Sequence, residues 1–147
     1  TTRKILQPGL VEISAKRIEI TGLSEEPYLS ESAGQLGLRL WLERAGDVGI
    51  AHELSSCWAG DRYVLVPDGE ASTAVLWEIE LDSAEAAEKF QSVALELISA
   101  AANASEAAKL GGIVTSEDKR HLVVTRPRST AIRFINSATK TFAEKFK

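Results

Sequence analysis

The sequence of 147 residues has no methionine, one cysteine and two histidines, and only 6% of its residues are aromatic. With Cys57 alone, no disulfide can form within the chain, so packing must hold the fold. The absence of methionine, even at position 1, predicts a piece of a longer or processed protein. The longest uncharged stretch, residues 97–105, is too short to cross a bilayer, so no membrane span is expected.

The sequence also lacks the patterns that carry common chemistry. His52 and Glu53 begin like the H-E-x-x-H helix of zinc peptidases, but Ser56 occupies the position of the second histidine. There is no G-x-S-x-G elbow and no Gly-rich phosphate loop. Glu78 and Glu80 have a spacing that some glycosidases use, yet alternation with apolar residues explains them as a solvated sheet face. We therefore predict no catalytic residue, metal or cofactor, and an enzyme is the less favoured interpretation.

The chain contains enough apolar residues for one hydrophobic core, since 44% of its residues are apolar and 26% are charged. We predict a single domain over residues 1–147, in which residues 1–9 form an irregular lead-in. Charge is unevenly spread, because residues 109–147 hold nine basic and three acidic side chains while the net charge of the chain is −4. No aromatic residues interleave with these basic side chains to stack bases, so nucleic-acid binding is not expected.

Hydrophobic periodicity and turn signals predict an α+β fold, with an antiparallel sheet of four to five strands and helices packed on it. The predicted order is β-α-α-β-β-α-β-β-α. The elements are a strand over 17–21, helices over 29–46 and 47–60, strands over 62–66 and 73–81, a helix over 82–103 that resumes over 106–109, strands over 113–115 and 121–125, and a helix over 129–146. In the first helix, Ala33, Leu36, Leu40 and Trp41 are expected to face the core.

The central hairpin allows a prediction of register. Alternation pairs Tyr63 with Trp77 and Leu65 with Val75, which places these four side chains on the core face. The same register sets Arg62 opposite Glu78 as a cross-strand charge pair. Asp47 and Asp82 are the expected N-caps of the second and third helices.

The least ordinary stretch is residues 58–63, Trp-Ala-Gly-Asp-Arg-Tyr. We interpret it as a helix-to-strand corner in which Gly60 takes positive φ and Asp61 binds the amides just ahead of it. Trp58 and Tyr63 would then pack against the core near Trp77. The alternative is a ligand site, whose candidate binding residues are Trp58, Asp61, Arg62, Tyr63 and Trp77.

This stretch resembles the W-G-G-D-R-Y corner of an uncharacterised bacterial and archaeal module. In that module a strand ending in W-x-x-x-W/L-D-S and an Ala-rich helix with a Phe follow, as residues 77–83 and 86–90 do here. Residues 5–8 and 123–127 are similar as well. The module often follows a zinc-metallopeptidase-like domain with an H-E-L-x-H helix, so the resemblance implies an accessory domain and assigns no catalytic residue. This chain departs from the pattern at Ala59.

Together these observations predict a non-catalytic accessory or interaction domain of a larger protein, bound to a protein partner or to a second copy. The alternative is a small-molecule binder or weak hydrolase with a pocket near residues 58–63. A third interpretation, an anion binder, requires Arg126, Arg128 and Arg133 on one exposed face. The sequence leaves the compartment open, and a periplasmic or extracellular location would follow if a signal preceded the chain.

Overall fold

The computed structural model describes residues 15–44, 46–103 and 107–147, so the predicted lead-in over residues 1–9 lies outside the described residues. The α+β class is confirmed, and the predicted order holds once a further strand is inserted before the last helix. The elements are β1 (Leu29–Glu31), α1 (Gly34–Glu43), α2 (Val48–Ser56), β2 (Trp58–Pro67), β3 (Thr73–Leu81), α3 (Ala84–Ala101), β4 (Val114–Thr115), β5 (His121–Arg128), β6 (Ala131–Ser137) and α4 (Lys140–Phe146).

The strands form one antiparallel sheet in the order β1-β2-β3-β6-β5-β4, with six strands instead of the predicted four to five. Both faces are covered. We call the side under α1, α2 and α3 the helix face, and the side under residues 16–23 and α4 the strap face. In the described ranges no helix has the length and apolar content needed to cross a bilayer, as the sequence predicts.

Each face has its own core. On the helix face, Phe90 and neighbours from α1, α2 and α3 pack against strand residues such as Ile79 and Ile132. On the strap face, Phe146 and Ala143 of α4 pack against residues from β2, β3, β5 and β6, with Ile20 and Leu23 at the margin. Because both sides of the central strands are buried, alternation along them does not mark a solvent side.

The predicted register of the central hairpin is confirmed, since Tyr63 lies opposite Trp77 and Arg62 opposite Glu78. The prediction that Glu78 and Glu80 lie on a solvated face is wrong, because their exposed fractions are 1% and 5%. The strap and α4 cover this side. The predicted pairing of Arg62 with Glu78 is also replaced, because Arg133 of β6 donates to that carboxylate from the opposite side.

Helix α1 starts later than predicted and presents a different side to the core. Leu38 and Leu42 are buried, whereas Leu36 and Leu40 are exposed to 64% and 57%. The preceding residues 29–31 form β1 at the sheet edge, and this places the helix start at Gly34, which has a φ of +69°. The spacing pattern was correct for a helix, but two of its predicted core residues point outward.

The two N-cap predictions have different outcomes. Asp47 caps α2 as expected, with its side chain accepting from the Ile50 amide at 2.9 Å. Helix α3 is capped by Ser83 instead of Asp82, because the Ser83 hydroxyl accepts from the Ala86 amide at 3.1 Å. Helix α2 ends at Ser56, and the strand begins at once at residue 58 instead of at residue 62.

The strand predicted over residues 17–21 does not form. This segment crosses the strap face, and Ile18 is 7% exposed. The backbone amide of Lys16 donates to the Ala59 carbonyl at 2.7 Å, and a Cβ at Gly60 would lie 2.4 Å from the Lys16 carbonyl oxygen. Gly60 is therefore required by this close approach, and the predicted positive φ is wrong, since Gly60 is not among the described residues with positive φ.

The predicted C-terminal helix is only half correct. Residues 131–137 form β6 between β3 and β5, and helix α4 begins at Lys140. Ile132 and Ile135 have helical spacing, but as strand residues they fill opposite faces of the sheet. The preceding hairpin is confirmed, with β4 paired to β5. The resumed helix predicted over 106–109 does not appear at residues 107–109, and residue 106 lies outside the described part.

Candidate functional site

The helix face carries an open cleft of about 380 Å³ between α1, the second half of α3 and strands β3, β5 and β6. We call it the aromatic cleft. Its apolar lining consists of Trp41, Val75, Trp77, Leu97, Ile98, Ala101, Leu122, Phe134 and Ile135. Two polar residues, Arg44 and Asn136, complete the lining. The volume and the predominance of apolar lining are those of small-molecule sites.

Two strands and one helix bring the aromatic rings together. Trp77 of β3 and Phe134 of β6 lie opposite each other in the sheet register, so their rings are neighbours on the helix face. Trp41 of α1 meets both edge-on, with ring centroids 5.7 Å from Trp77 and 4.6 Å from Phe134. Phe90 of α3 closes the cluster from beneath, at 6.1 Å from Trp41. These contacts fix one wall of the aromatic cleft.

Asp61 orients this wall from within the protein. Its carboxylate accepts from the Trp77 indole nitrogen at 2.8 Å and from the Trp58 indole nitrogen at 3.0 Å. It also accepts from the Ser32 hydroxyl and from the amides that begin α1, those of Ala33 and Gly34. The three distances are 2.6, 2.8 and 3.0 Å. One buried carboxylate therefore ties β2, β3 and the start of α1 together.

The cleft carries hydrogen-bond donors that the protein itself does not use. In the described ranges, no carboxylate pairs with the Arg44 guanidinium, and no acceptor takes the indole N–H of Trp41. Asn136 is held through its side-chain oxygen, which accepts from Arg120 Nε at 2.7 Å. This leaves the Asn136 amide nitrogen to donate elsewhere. The lining of the aromatic cleft includes no acidic residue.

The candidate residues 58–63 do not all converge. Trp58 and Asp61 are 2% and 4% exposed and meet Trp77 through the bonds described above. Tyr63 is half-buried next to Trp77 in the register, while Arg62 lies on the strap face, 3.4 Å from the Ser30 carbonyl. The predicted Asx turn is wrong, because the amides that Asp61 binds lie 27 and 28 residues earlier in the chain.

A second cavity borders this stretch. It has a volume of about 400 Å³ and is mainly polar, and Ala15, the first residue after the undescribed N-terminal segment, forms part of its wall. Trp58, Asp61 and Arg62 line it from one side, and Lys16, Arg17, Glu31 and Ser32 are among the residues on the other. Because Trp58 and Asp61 are almost fully buried, they contribute little accessible surface to it.

The strap face holds a cluster of buried charges. Arg128 Nη2 lies 2.8 Å from Glu78 Oε1 and 2.9 Å from Glu80 Oε2, and Arg133 Nη2 lies 2.8 Å from Glu78 Oε2. Thr130 donates to Glu80 at 2.6 Å, and Lys16 Nζ lies 3.4 Å away. Burial acts to raise the pKa of Glu80, but the hydrogen bonds from Thr130 and Arg128 and the charges of Arg128 and Lys16 hold it below its ordinary 4.5. Both carboxylates are thus committed to ion pairs.

This arrangement affects the anion-binding interpretation. That interpretation requires Arg126, Arg128 and Arg133 on one exposed face. Arg133 is only 18% exposed, and both Arg128 and Arg133 neutralise Glu78. Arg126 donates instead to the carbonyls of Ser129 and Ala84. These arginines balance buried acids and loop carbonyls and do not form an open basic face.

Asp68 is a second organising carboxylate, at the end of β2. It is 3% exposed and accepts from the Ser137 hydroxyl at 2.7 Å, from the amides of Ala138 and Thr139 at 2.6 and 3.1 Å, and from the Thr139 hydroxyl. Burial acts to raise the pKa of Asp68, but these hydrogen bonds outweigh it and lower the pKa below its ordinary 3.8. Asp68 thereby tethers the start of α4 to the β2–β3 turn.

In the part of the chain that the structure describes, no group of three His, Cys, Asp or Glu side chains is placed to hold a metal ion. Cys57 donates from Sγ to the Glu53 carbonyl at 3.5 Å, and Nδ1 of His121 lies 3.3 Å from the Thr115 hydroxyl. These contacts are of the kind that stabilise a helix end and a hairpin.

Sequence reasoning missed most of the aromatic cleft. Trp77 was a candidate, but Phe134 and Asn136 fell within a predicted helix, and Arg44 was not among the candidates. The alternation of residues 131–137, Ala-Ile-Arg-Phe-Ile-Asn-Ser, is the signal that identifies β6 and would have placed Phe134 beside Trp77.

Comparisons with known proteins give a family but no relative of known role. A model of a family described as a domain of unknown function, DUF8575, matches residues 25–146. Neither the curated proteins nor the solved structures contain a significant match to the chain. The matched span includes every element from β1 to α4 and all residues of the aromatic cleft. The chain therefore belongs to the DUF8575 family.

Proposed function

We propose that this chain is a non-catalytic binding domain that takes an apolar group of another molecule into the aromatic cleft. The observation that supports this most is the wall formed by Trp41, Trp77 and Phe134, beside which the described residues leave a space of about 380 Å³ open. Apolar surface left open in this way is stabilised when a ligand removes it from water. By contrast, each buried carboxylate in the described part of the chain, namely those of Asp61, Asp68, Glu78 and Glu80, already accepts hydrogen bonds from protein donors.

The aromatic cleft is also built to keep its shape. Asp61 holds Trp77 by a 2.8 Å bond, and the sheet register fixes Phe134 beside it. A wall set by buried contacts need not be ordered when a ligand arrives, which favours binding. A domain without chemistry of its own but with a preformed cleft fits an accessory role.

The alternative of a small-molecule site or weak hydrolase near residues 58–63 has one observation in its favour, the polar cavity of about 400 Å³ bordered by Arg62 and Ser32. Its candidate side chains are less suited to a ligand, because Asp61 already accepts five hydrogen bonds. We therefore place the binding function at the aromatic cleft.

We also propose that the domain acts within a larger and exported protein, downstream of a metallopeptidase-like domain. The support is the resemblance of residues 58–63 to the corner of the module that has this context. Zinc analysis and sequencing of the parent protein test the proposal. An upstream H-E-x-x-H helix with one bound zinc is expected, and a parent protein without such a domain would contradict it.

The binding function can be tested by following the three indole N–H signals in ¹H–¹⁵N NMR spectra. Titration with 2-naphthamide, a neutral flat probe, should shift the signals of Trp41 and Trp77, whereas that of Trp58, buried beneath the wall, should move least. Ala101→Phe fills the cleft from an exposed position and should abolish the shifts. Ala100→Phe, on the same helix but outside the lining, is the matched control. Equal shifts in both variants would contradict the proposed site.

A further inference from the structure

The unused donors of the aromatic cleft indicate which class of ligand it accepts. Arg44 supplies a cation without a carboxylate partner among the described residues, and Asn136 supplies an amide whose oxygen is already taken by Arg120. The Trp41 indole N–H is a third donor. Each of these three donors can bind an acceptor atom of a ligand. None of the lining residues carries a negative charge.

We infer that the ligand is a small organic acid, with a carboxylate at the Arg44 and Asn136 end of the cleft and a flat apolar body against Trp41, Trp77 and Phe134. This inference rests on the proposed binding function. A guanidinium is suited to a carboxylate because its N–H groups match the two oxygens. A cation would be repelled by Arg44, and a neutral acceptor would form weaker hydrogen bonds and leave the charge of Arg44 unpaired.

Three acidic residues in the described ranges near the cleft already have partners. Glu117 and Asp118 line an adjoining cavity on the β4–β5 turn, where Asn103 donates to Glu117 and Ser116 donates to Asp118. On α1 itself, Glu43 pairs with Arg39 at 2.9 Å, one residue away from Arg44 along the helix. Arg44 is therefore left to determine the charge preference of the cleft.

The floor of the aromatic cleft favours a free acid over the C-terminus of a peptide. Peptide termini and extended peptides are bound through backbone groups of a free sheet edge or of a loop. Here the floor consists of β3, β5 and β6, each of which has a strand on both sides. At the cleft, residues 75 and 77 of β3 and residues 134 and 136 of β6 are paired on both sides, so side chains are left to recognise the ligand there.

The test compares ligands of one shape and different charge by NMR titration or calorimetry. We expect 2-naphthoate to bind about tenfold more tightly than 2-naphthamide, as a charge-assisted hydrogen bond at a partly exposed site predicts. Arg44→Gln should remove this preference. Arg62→Gln, the same change at an arginine on the strap face, should keep it. The indole N–H signals report that each variant is folded.

The outcomes distinguish the organic-acid inference from the proposed binding function. Equal binding of naphthoate and naphthamide would overturn the organic-acid inference and leave the binding function intact. Binding of neither probe would overturn both. Tighter binding of a peptide with a C-terminal phenylalanine than of 2-naphthoate, lost when the peptide is amidated, would show that the occupant is a chain terminus and would also overturn the inference.

Discussion

The two faces of the sheet bury charge in opposite ways. On the helix face, the buried carboxylate of Asp61 accepts hydrogen bonds from neutral donors, two of which are indoles, and the surface beside it remains open as the aromatic cleft. On the strap face, Glu78 and Glu80 are neutralised by arginines, and α4 and the strap close the surface over them. The helix face thus leaves aromatic surface open beside its buried acid, whereas the strap face pairs its buried acids with arginines.

The difference indicates how a sheet can bury acids on both sides. A buried carboxylate needs several donors or a cation, whichever the neighbouring elements supply. Asp61 obtains its donors from a helix start, and Glu78 obtains its cation from the next strand, β6. If the comparison holds, mutations on the helix face should alter both stability and cleft binding, whereas those on the strap face should alter stability alone.

The largest effect should follow from Asp61→Asn. The new NH2 group would replace one of two oxygens: Oδ1, which accepts from the Trp58 indole and the Gly34 amide, or Oδ2, which accepts from the Trp77 indole. Either way, buried donors lose their acceptor. We expect a loss of about 3 kcal/mol in the free energy of unfolding, measured with urea, and weaker probe binding because Trp77 is released. Asp82→Asn, an exposed aspartate, is the control. An Asp61→Asn protein with unchanged probe affinity would break the link between Asp61 and the cleft.

On the strap face, Arg133→Gln should cost about 2 kcal/mol, because it leaves the buried Glu78 with one fewer charged donor. The matched control is Arg62→Gln, since Arg62 faces Glu78 in the hairpin register but does not pair with it. We expect a change of less than about 0.5 kcal/mol there. Probe binding should be unaffected in both variants. Equal losses for the two substitutions would mean that both arginines support Glu78.

These arginines show why the sequence predicted the hairpin but not the faces of the sheet. The register of β2 with β3 follows from local alternation and a short turn, which a single sequence contains. Whether Glu78 is solvated depends on Arg128 and Arg133, about 50 residues later, and on a strap that precedes it. Burial by residues that are distant in the sequence depends on tertiary packing, which the local hydrophobic periodicity does not encode.

The cleft was partly missed for a related reason. Ile132, Ile135 and Phe142 are spaced as in a helix, so the spacing favoured one long helix where a strand and a short helix occur. With β6 unrecognised, Phe134 had no place beside Trp77. Asp61 was singled out correctly as unusual, but its partners at the start of α1 are not neighbours in sequence.

A smaller effect, with a clear pH dependence, should follow from Asp68→Asn. The lowered pKa of Asp68 means that its hydrogen bonds stabilise the fold above the ordinary value of 3.8 and are lost as pH falls through the folded-state pKa. We expect a loss of about 1–2 kcal/mol at neutral pH that disappears under more acidic conditions, measured by urea unfolding from pH 7 to pH 3. Hydrogen exchange should quicken in α4 first, and probe binding at neutral pH should be unchanged. A pH-independent loss would contradict the role of the charged form.

The smallest effect on stability should follow from Leu36→Ser and Leu40→Ser. These two side chains lie on the outer side of α1 and are already 64% and 57% exposed, so we expect changes within about 0.5 kcal/mol. Leu38→Ser, at a position with 0% exposure on the same helix, should cost several times more. Urea unfolding of the three variants therefore determines which side of α1 packs on the helix face. A larger loss for Leu36→Ser than for Leu38→Ser would mean that α1 is rotated relative to the sheet and that Trp41 lies away from the cleft wall. The helix face would then lack the feature that distinguishes it from the strap face.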